Sequence, residues 1–344
     1  MDRQTEITTP GALLDAKGDL ARPGFSRALV QEYRRADVKA SPLRIKEWDY
    51  YLVNNGRFAL ALTVADNGYM GLDSVSLLDL EEGWEITKSP MSFLPLGKKH
   101  LPETSVTGDV HSAARGYGLH FIHEGEKRVL IAYMNKFGES ALSARVELTE
   151  CPEDSLVIAT PFEKPGHFYY NQKIVGFRAS GYVTYNGKTY TFEPSDSFAV
   201  LDWGRGVWTY RNTWYWGSAS GELDGVPFGW NIGYGFGNTT AATENAVFYD
   251  GELHKLGDVH FNIPKNAKGR EDYLKPWTFT SDDNRFYMDF TPVLDRSALA
   301  SALIVQSNQH QVFGRFTGRV TLDDGTVLPV RDFFGFAEKV ENRW

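Results

Sequence analysis

The chain has 344 residues, of which 42% are hydrophobic, 23% charged and 14% aromatic. This composition excludes a disordered chain, and the high aromatic share favours strands over helices. The net charge of -8, without a stripe of Lys and Arg, argues against a nucleic-acid partner. The length favours two domains over one large all-β unit.

The lone cysteine and the N-terminus both bear on location. Cys151 cannot form an internal disulfide, which fits a reducing compartment. The first residues lack the basic and apolar succession of a secretory signal. The longest apolar stretch, around residues 58–65, is too short to span a bilayer. We therefore predict a cytoplasmic protein without an integral membrane segment.

Turn signals dominate the chain, and helical periodicity is rare. Residues Gly24 to Ala36 favour a short helix with Ala28, Leu29 and Tyr33 on its apolar side. Five dipeptides of the kind that forms hairpin turns follow: Asn67-Gly68, Asn186-Gly187, Asp224-Gly225, Asp250-Gly251 and Asp324-Gly325. The strand formers on both sides of Asn186-Gly187 predict the clearest hairpin.

Residues 312–322 alternate with a period of two, which is typical of a strand with one inward face. The inner face includes Gly314 and Gly318, and these small residues would leave room for a ligand. Many short strands with frequent turns indicate a sandwich or a barrel. We predict an all-β fold of two consecutive lipocalin-like antiparallel β-barrel or sandwich domains with few short helices.

A polar, proline-containing break at residues 193–196 predicts the domain boundary. It divides the chain into an N-terminal extension (1–24), an N-terminal lipocalin-like domain (25–195) and a C-terminal lipocalin-like domain (196–344). The aromatic stretch that follows the break would then place a site at the interface between the domains.

Five of the nine tryptophans lie between residues 198 and 237, close to Asp202 and Arg205. An acid set among aromatic rings tends to hold its proton, so Asp202 is predicted to act as a general acid. Alternatively, Arg205 pairs with Asp202, and the two form a structural salt bridge that fixes a glycine-rich bend. The sequence leaves both interpretations open.

The neighbouring aromatic residues form either a substrate-binding wall or part of the core, and the two look alike in a sequence. Trp214 and Trp216 share one face of a strand. The predicted wall comprises Trp203, Trp208, Tyr210, Trp214 and Trp216.

The segment from His167 to Lys173 also groups polar and aromatic side chains, including Tyr169 and Tyr170. These side chains could converge on a ligand carbonyl or hydroxyl. The alternative is an exposed strand end in which Lys173 extends its ammonium group into solvent.

Other motifs argue against metals and cofactors. His120 and His123 would point to opposite faces of a strand, and Asp109 with His111 is typical of a polar loop. Residues 181–189 and 233–237 lack the glycine spacing of nucleotide-binding loops. No Gly-x-Ser-x-Gly elbow of a serine hydrolase occurs. We predict no metal and no cofactor.

Five motifs occur together: Arg44–Tyr51, Ala65–Tyr69, Phe168–Lys173, Asp202–Gly206 with Trp214–Trp216, and Gly335–Trp344. In this order they resemble the bacterial DUF2804 family, of unassigned function, over nearly the whole chain. More remotely, the chain resembles the carotenoid 1,2-hydratases, the AttH-like proteins and certain cyclases.

The remote resemblance implies two consecutive lipocalin-like domains and an apolar substrate. It also implies a proton-donating Asp near a Trp-Gly motif, which Asp202 before Trp203-Gly204 matches. Those relatives commonly have a histidine directly after the acid and a spacer before Trp-Gly, and this chain has neither.

The leading functional hypothesis is a cofactor-independent acid-base enzyme of hydratase, isomerase or cyclase type, with Asp202 and Arg205 as its catalytic residues. Asp202 would be the acid, and Arg205, His167 and Lys173 would orient a polar end of the substrate. Its substrate would be an apolar, isoprenoid-like or polyketide-like small molecule. The first alternative is a non-catalytic carrier of a lipid or another hydrophobic ligand. The second is a carbohydrate-active protein in which Asp202 pairs with Glu222 or Glu244.

Overall fold

The computed structural model describes residues 4–302 and 305–343. They form a parallel pair of strands, a 14-stranded sheet and a 9-stranded sheet. Among these residues the one helix is the 3-10 helix Arg35–Asp37. The prediction of an all-β fold is confirmed.

The first part of the chain forms sixteen strands. They are β1 (Gly11–Ala12), β2 (Gly24–Ser26), β3 (Gln31–Glu32), β4 (Ile45–Asn54), β5 (Phe58–Asp66), β6 (Met70–Asp79), β7 (Trp84–Lys88), β8 (Met91–Phe93), β9 (Val110–Ala114), β10 (Tyr117–Glu124), β11 (Lys127–Phe137), β12 (Ser140–Thr149), β13 (Leu156–Pro161), β14 (Phe168–Tyr185), β15 (Lys188–Phe192) and β16 (Phe198–Val207). Strands β1 and β3 form the parallel pair, and the others form the first sheet. Its main path is β7-β6-β5-β4-β16-β14-β12-β11-β10-β9.

The second sheet contains the remaining nine strands. They are β17 (Arg211–Leu223), β18 (Val226–Tyr234), β19 (Ala246–Tyr249), β20 (Glu252–Lys255), β21 (Val259–Asn262), β22 (Trp277–Ser281), β23 (Phe286–Ala302), β24 (Val305–Thr321) and β25 (Val327–Arg343). Their order across the sheet is β20-β19-β18-β17-β25-β24-β23-β22-β21.

All five predicted turn dipeptides lie between strands that pair with each other. At Asn186-Gly187 both residues have positive φ, at 48° and 75°. This conformation matches the twist of a two-residue hairpin, and a glycine adopts it without strain.

The helix predicted for residues 24–36 is wrong. Strands β2 and β3 lie within this segment, and only Arg35–Asp37 are helical. Phe25 is 5% exposed and pairs with Ile158 of β13. The gain from burying this ring within the sheet overrides a weak local preference for helix.

The change of sheet lies one strand beyond the predicted domain boundary at residues 195 and 196. Strand β16 pairs with β14 on one side and with β4 on the other, so the first sheet extends through Val207. The polar break at residues 193–196 is the turn that leads into β16. The N-terminal segment also contacts the second half, since Gln4 Nε2 donates to the carbonyl of Leu256.

Three apolar clusters form the core. One lies within the first sheet and includes Leu60 and Trp203. Another lies within the second sheet and includes Trp230 and Phe290. The third joins the two sheets through residues such as Tyr50 and Trp216. Each sheet thus covers its own core, and the outer faces of the two sheets meet each other.

The open space predicted beside the inner face of residues 312–322 is absent there. A Cβ atom on Gly314 would lie 2.5 Å from Cε2 of Phe290. The small residue therefore makes room for a ring of the protein itself. Val312, Phe316 and Val320 on the same face are fully buried. The larger space in this fold lies between the sheets.

Candidate active site

Strand β16 determines which predicted residues reach the space between the sheets. Side chains alternate along a strand, so Leu201, Trp203 and Arg205 point into the first sheet. Asp202 points the opposite way, toward the second sheet. Gly204 lies on that side too, and a Cβ atom there would lie 1.9 Å from the ring of Trp48. The glycine thus lets this ring lie across β16.

A cavity of about 280 Å³ lies between the two sheets. Seven aromatic residues line it: Trp48, Tyr50, Tyr169, Trp208, Trp214, Trp216 and Phe236. Buried polar groups also reach it: Lys173, Asp202, Glu244, Gln311 and Glu338. Such a mixture of apolar wall and few convergent polar groups is typical of a small-molecule site.

Asp202 and Lys173 form a buried ion pair in this cavity. They lie opposite each other on β16 and β14, with Lys173 Nζ 2.9 Å from Asp202 Oδ1. Asn171 Nδ2 donates to the same oxygen at 2.5 Å. The Lys173 ammonium also lies 4.0 Å above the ring of Trp216. Asp202 is therefore paired with Lys173, and the predicted pairing with Arg205 is wrong.

Glu338 faces the ion pair from β25 of the second sheet. Trp214 Nε1 donates to Glu338 Oε1 at 2.9 Å, and Gln311 Nε2 donates to Glu338 Oε2 at 3.2 Å. Burial raises the pKa of Glu338 to about 7, although the bond from Trp214 favours the ionised form. The negative charge of Asp202 raises this pKa as well.

Glu244 is the other buried carboxyl group of the wall. Burial raises the pKa of Glu244 to about 7, the Lys173 charge lowers it, and the Asp202 charge raises it. The phenol of Tyr169 hydrogen-bonds with Glu244, and burial followed by the Glu244 charge raises the Tyr169 pKa well above its usual range. Two carboxyl groups that change protonation near neutrality therefore surround the Asp202–Lys173 pair.

These two glutamates couple stability to pH. Their folded-state pKa of about 7 exceeds the ordinary value of 4.5, so the folded protein binds more protons between these values. Their stabilising contribution is complete below about pH 4.5 and is lost as the pH rises through about 7. We expect each carboxyl to contribute about 3 kcal/mol to the difference in the free energy of unfolding between these two pH ranges.

Urea unfolding at pH 5 and pH 8 measures this effect. Between pH 5 and pH 8, the free energy of unfolding should fall more for the wild type than for the double variant Glu244→Gln/Glu338→Gln. The variant Glu222→Gln is the control, because Glu222 pairs with Arg178 away from the cavity. Equal pH dependence in the wild type and the double variant would contradict the raised pKa values.

Arg205 and Trp203 do not line the cavity. Arg205 is fully buried, with Nη2 2.9 Å from Asp49 Oδ1 and Nη1 donating to the carbonyl of Trp48. The guanidinium lies 4.2 Å from the Trp203 ring. The strand alternation therefore contradicts the sequence-based grouping of both residues with Asp202.

Tyr170, His167 and Tyr210 also lie outside the wall. The Tyr170 hydroxyl donates to the carbonyl of Gln31 inside the first sheet. His167 is half-buried beside the Pro165 carbonyl, and burial lowers the pKa of its ring. Tyr210 is 40% exposed in the connection between β16 and β17. By contrast, Tyr169, Lys173, Trp208, Trp214 and Trp216 line the cavity with Asp202.

Several site residues were missed by the sequence reasoning. Trp48 and Tyr50 lie on β4, which pairs with β16, and both belong to a motif of the family resemblance. Glu338 also belongs to such a motif, but nothing local distinguishes it from a surface glutamate. The one available signal was the alternation along β25, which places Glu338 on the same face as Phe336 and Val340.

The comparisons with known proteins agree with this architecture. The family profile described as "Domain of unknown function (DUF2804)" matches residues 4–344. The chain belongs to the DUF2804 family. A search of curated proteins finds no match to this DUF2804 chain.

Solved structures share its fold. A crystal structure of a protein described as AttH from Nitrosomonas europaea has a TM-score of 0.56 at 14% identity, and the match covers 90% of this chain and 96% of that one. This likeness shows the fold alone, and it confirms the predicted lipocalin-like architecture.

Two further structures are more remote. Kievitone hydratase from Nectria haematococca has a TM-score of 0.47 at 11% identity, with 97% of this chain and 98% of that one covered. CghA, solved with Sch210972, has a TM-score of 0.48 at 10% identity, with 97% of each chain covered. At these scores the likeness carries no functional argument for the DUF2804 chain.

A pair of histidines is the feature that comes nearest to a metal site among the described residues. His111 and His120 meet across β9 and β10 with their Nδ1 atoms 3.0 Å apart. Among the described residues, no three His, Cys, Asp or Glu side chains are grouped to hold a metal ion. No helix in this part of the chain is long and apolar enough to cross a membrane. Cytoplasmic location and the lack of a nucleic-acid partner stay predictions.

Proposed function

We propose that this protein is an acid-base enzyme of hydratase, isomerase or cyclase type that acts on an apolar small molecule between its two sheets. One observation carries the proposal: Glu338 and Glu244, each with a pKa of about 7, lie in the wall of one aromatic cavity. A carboxyl with such a pKa is suited to proton transfer near neutral pH. The reaction uses only groups of the chain itself.

Glu338 takes the role of proton donor that was predicted for Asp202. For each glutamate, one partner does most to favour the ionised form. For Glu338 it is the neutral indole of Trp214, and for Glu244 it is the positive charge of Lys173. Glu244 is therefore the better proton acceptor. The charge of Asp202 helps both glutamates retain protons, so Asp202 has a positioning and electrostatic role.

The proposed step moves one proton to carbon. The electron pair of a substrate double bond takes the proton of Glu338 and forms a C–H bond. Glu244 then accepts a proton from an adjacent carbon, from an attacking water or from a hydroxyl that closes a ring. The cation-like centre between these events would face the rings of Trp208, Trp214 and Trp216, which stabilise positive charge.

A carrier of an apolar ligand is the second candidate, because an aromatic cavity binds such ligands without proton transfer. The carbohydrate-active alternative has less support. Of its two predicted partner carboxyl groups, Glu222 pairs with Arg178 outside the cavity, and Glu244 lies in the cavity with Asp202.

Incubation in D₂O with a small-molecule extract of the native host tests the proposal. We expect mass spectrometry to find at least one apolar compound that gains one non-exchangeable deuterium in the presence of the protein. The double variant Glu244→Gln/Glu338→Gln should abolish the labelling, and Glu222→Gln should preserve it. A ligand that co-purifies with the protein but never gains deuterium would overturn the enzyme proposal and favour the carrier.

A further inference from the structure

The rim of the cavity carries a cation whose role the proposed reaction does not use. Arg296 lies on β23 and lines the cavity where the β23–β24 hairpin meets the first sheet. Its Nη1 donates to Ser76 Oγ of β6 at 3.0 Å. Within the described part of the chain, Arg296 forms no salt bridge with a carboxylate. A partly buried guanidinium has unused capacity to bind an oxyanion.

Hydroxyl groups extend from the partner of this arginine along the first sheet. Ser76 and Thr87 are direct partners across β6 and β7, and Thr87 Oγ1 donates to Ser76 Oγ at 2.8 Å. Ser74 Oγ and Ser89 Oγ lie 2.9 Å apart on the same two chain segments. Ser74, Thr87 and Ser89 all line the cavity. These hydroxyls can donate to an oxygen atom that the arginine holds.

The wall of the cavity therefore includes tryptophan rings and, at Arg296, a cation with hydroxyl groups on the neighbouring strands. The tryptophan rings of the wall suit an apolar body, and the rim with Arg296 suits a negatively charged head group. A volume of about 280 Å³ is roughly that of nine water molecules. This volume lies near the lower limit for small-molecule sites and therefore suits a compact substrate.

We infer that the substrate is an apolar molecule that carries a carboxylate, with its carboxylate on Arg296 and the neighbouring hydroxyls and its apolar body between the tryptophans. The inference rests on the proposed function, because it names the substrate class of the same site. It makes Arg296 the residue that selects acids over neutral molecules of the same shape.

The arginine also connects substrate binding with the proton donor. The positive charge of Arg296 lowers the pKa of Glu338. A bound carboxylate would offset this charge, and the proton would then be held more firmly on Glu338. Binding of the correct head group thus favours the protonated form of the donor once the substrate is in place.

Binding of decanoate and of decan-1-ol distinguishes this inference from simple apolar capture. The two probes share an apolar chain and differ in the charge of the head group. Quenching of tryptophan fluorescence or calorimetry gives the dissociation constants, since Trp208, Trp214 and Trp216 line the cavity. We expect the wild type to bind decanoate about tenfold more tightly than decan-1-ol.

Variants of Arg296 locate the selectivity. Arg296→Gln should lose about tenfold in decanoate affinity with little change for decan-1-ol, and Arg296→Lys should restore part of the preference. Arg315→Gln is the matched control, because Arg315 pairs with exposed Asp332 outside the cavity. Unchanged thermal unfolding of each variant shows that the fold is retained.

Two results would overturn the inference: equal affinity of the wild type for the acid and the alcohol, or an unchanged preference in Arg296→Gln. Either result together with deuterium labelling leaves the acid-base function standing without this substrate class. A preference for decanoate that depends on Arg296, in a protein that never labels a product, rejects the enzyme and retains the carboxylate site.

Discussion

Glu338→Gln is expected to slow proton transfer by about 10²- to 10⁴-fold, the usual contribution of a positioned general acid. The glutamine amide keeps the shape of the side chain and can still accept the bond from Trp214 Nε1. It carries no proton of suitable acidity. The rate of deuterium incorporation, or kcat once a substrate is known, measures the loss.

The assignment of roles depends on a comparison with Glu244→Gln. If Glu338 is the donor, Glu338→Gln should slow the labelling of carbon by that factor. Glu244→Gln should instead slow the later step, in which a proton is removed. Glu222→Gln should have wild-type activity, because Glu222 pairs with Arg178 outside the cavity. A Glu338→Gln enzyme with wild-type turnover would refute the donor role.

Arg205→Met should lower the free energy of unfolding by about 3–5 kcal/mol, because it leaves a buried carboxylate without its partner. That carboxylate is Asp49, whose Oδ1 lies 2.9 Å from Arg205 Nη2. Arg205 also donates to the carbonyls of Trp48 and Pro102. Urea unfolding followed by circular dichroism measures the change.

Two further variants show whether the loss arises from the buried pair. The double variant Arg205→Met/Asp49→Leu should recover much of the stability, since a matched apolar pair is tolerated where one unpaired charge is not. Arg315→Met removes an exposed pair with Asp332 and should cost less than about 1 kcal/mol. A stable Arg205→Met protein that has lost activity would restore the catalytic role predicted from the sequence.

The sequence predicted the class of fold and the location of the site because both depend on local patterns. Hairpin dipeptides and alternating strands indicate a β protein wherever they occur. The aromatic stretch around Asp202 does contribute to the cavity, through Trp208, Trp214 and Trp216. The polar and aromatic segment from His167 to Lys173 added Lys173, which pairs with Asp202 across β14 and β16, and Tyr169, which lines the same cavity.

The partners of Asp202 could not be predicted in the same way. Arg205 is three residues away, and an odd separation on a strand places two side chains on opposite faces. Lys173 is its true partner because β14 and β16 pair in one particular register. Glu338 reaches the site from another sheet, 136 residues farther along the chain. Such long-range relations follow from the topology, which composition and spacing do not specify.

The connection between β16 and β17 spans only residues 208–210, and Trp208 within it lines the cavity. Cleavage of the chain here would yield two fragments, each of which would expose an apolar outer surface to water. We expect such fragments to reassociate through that surface or to aggregate, since neither can shelter a substrate alone. Catalysis would thus return only on complementation, and neither half of the chain would be an autonomous enzyme.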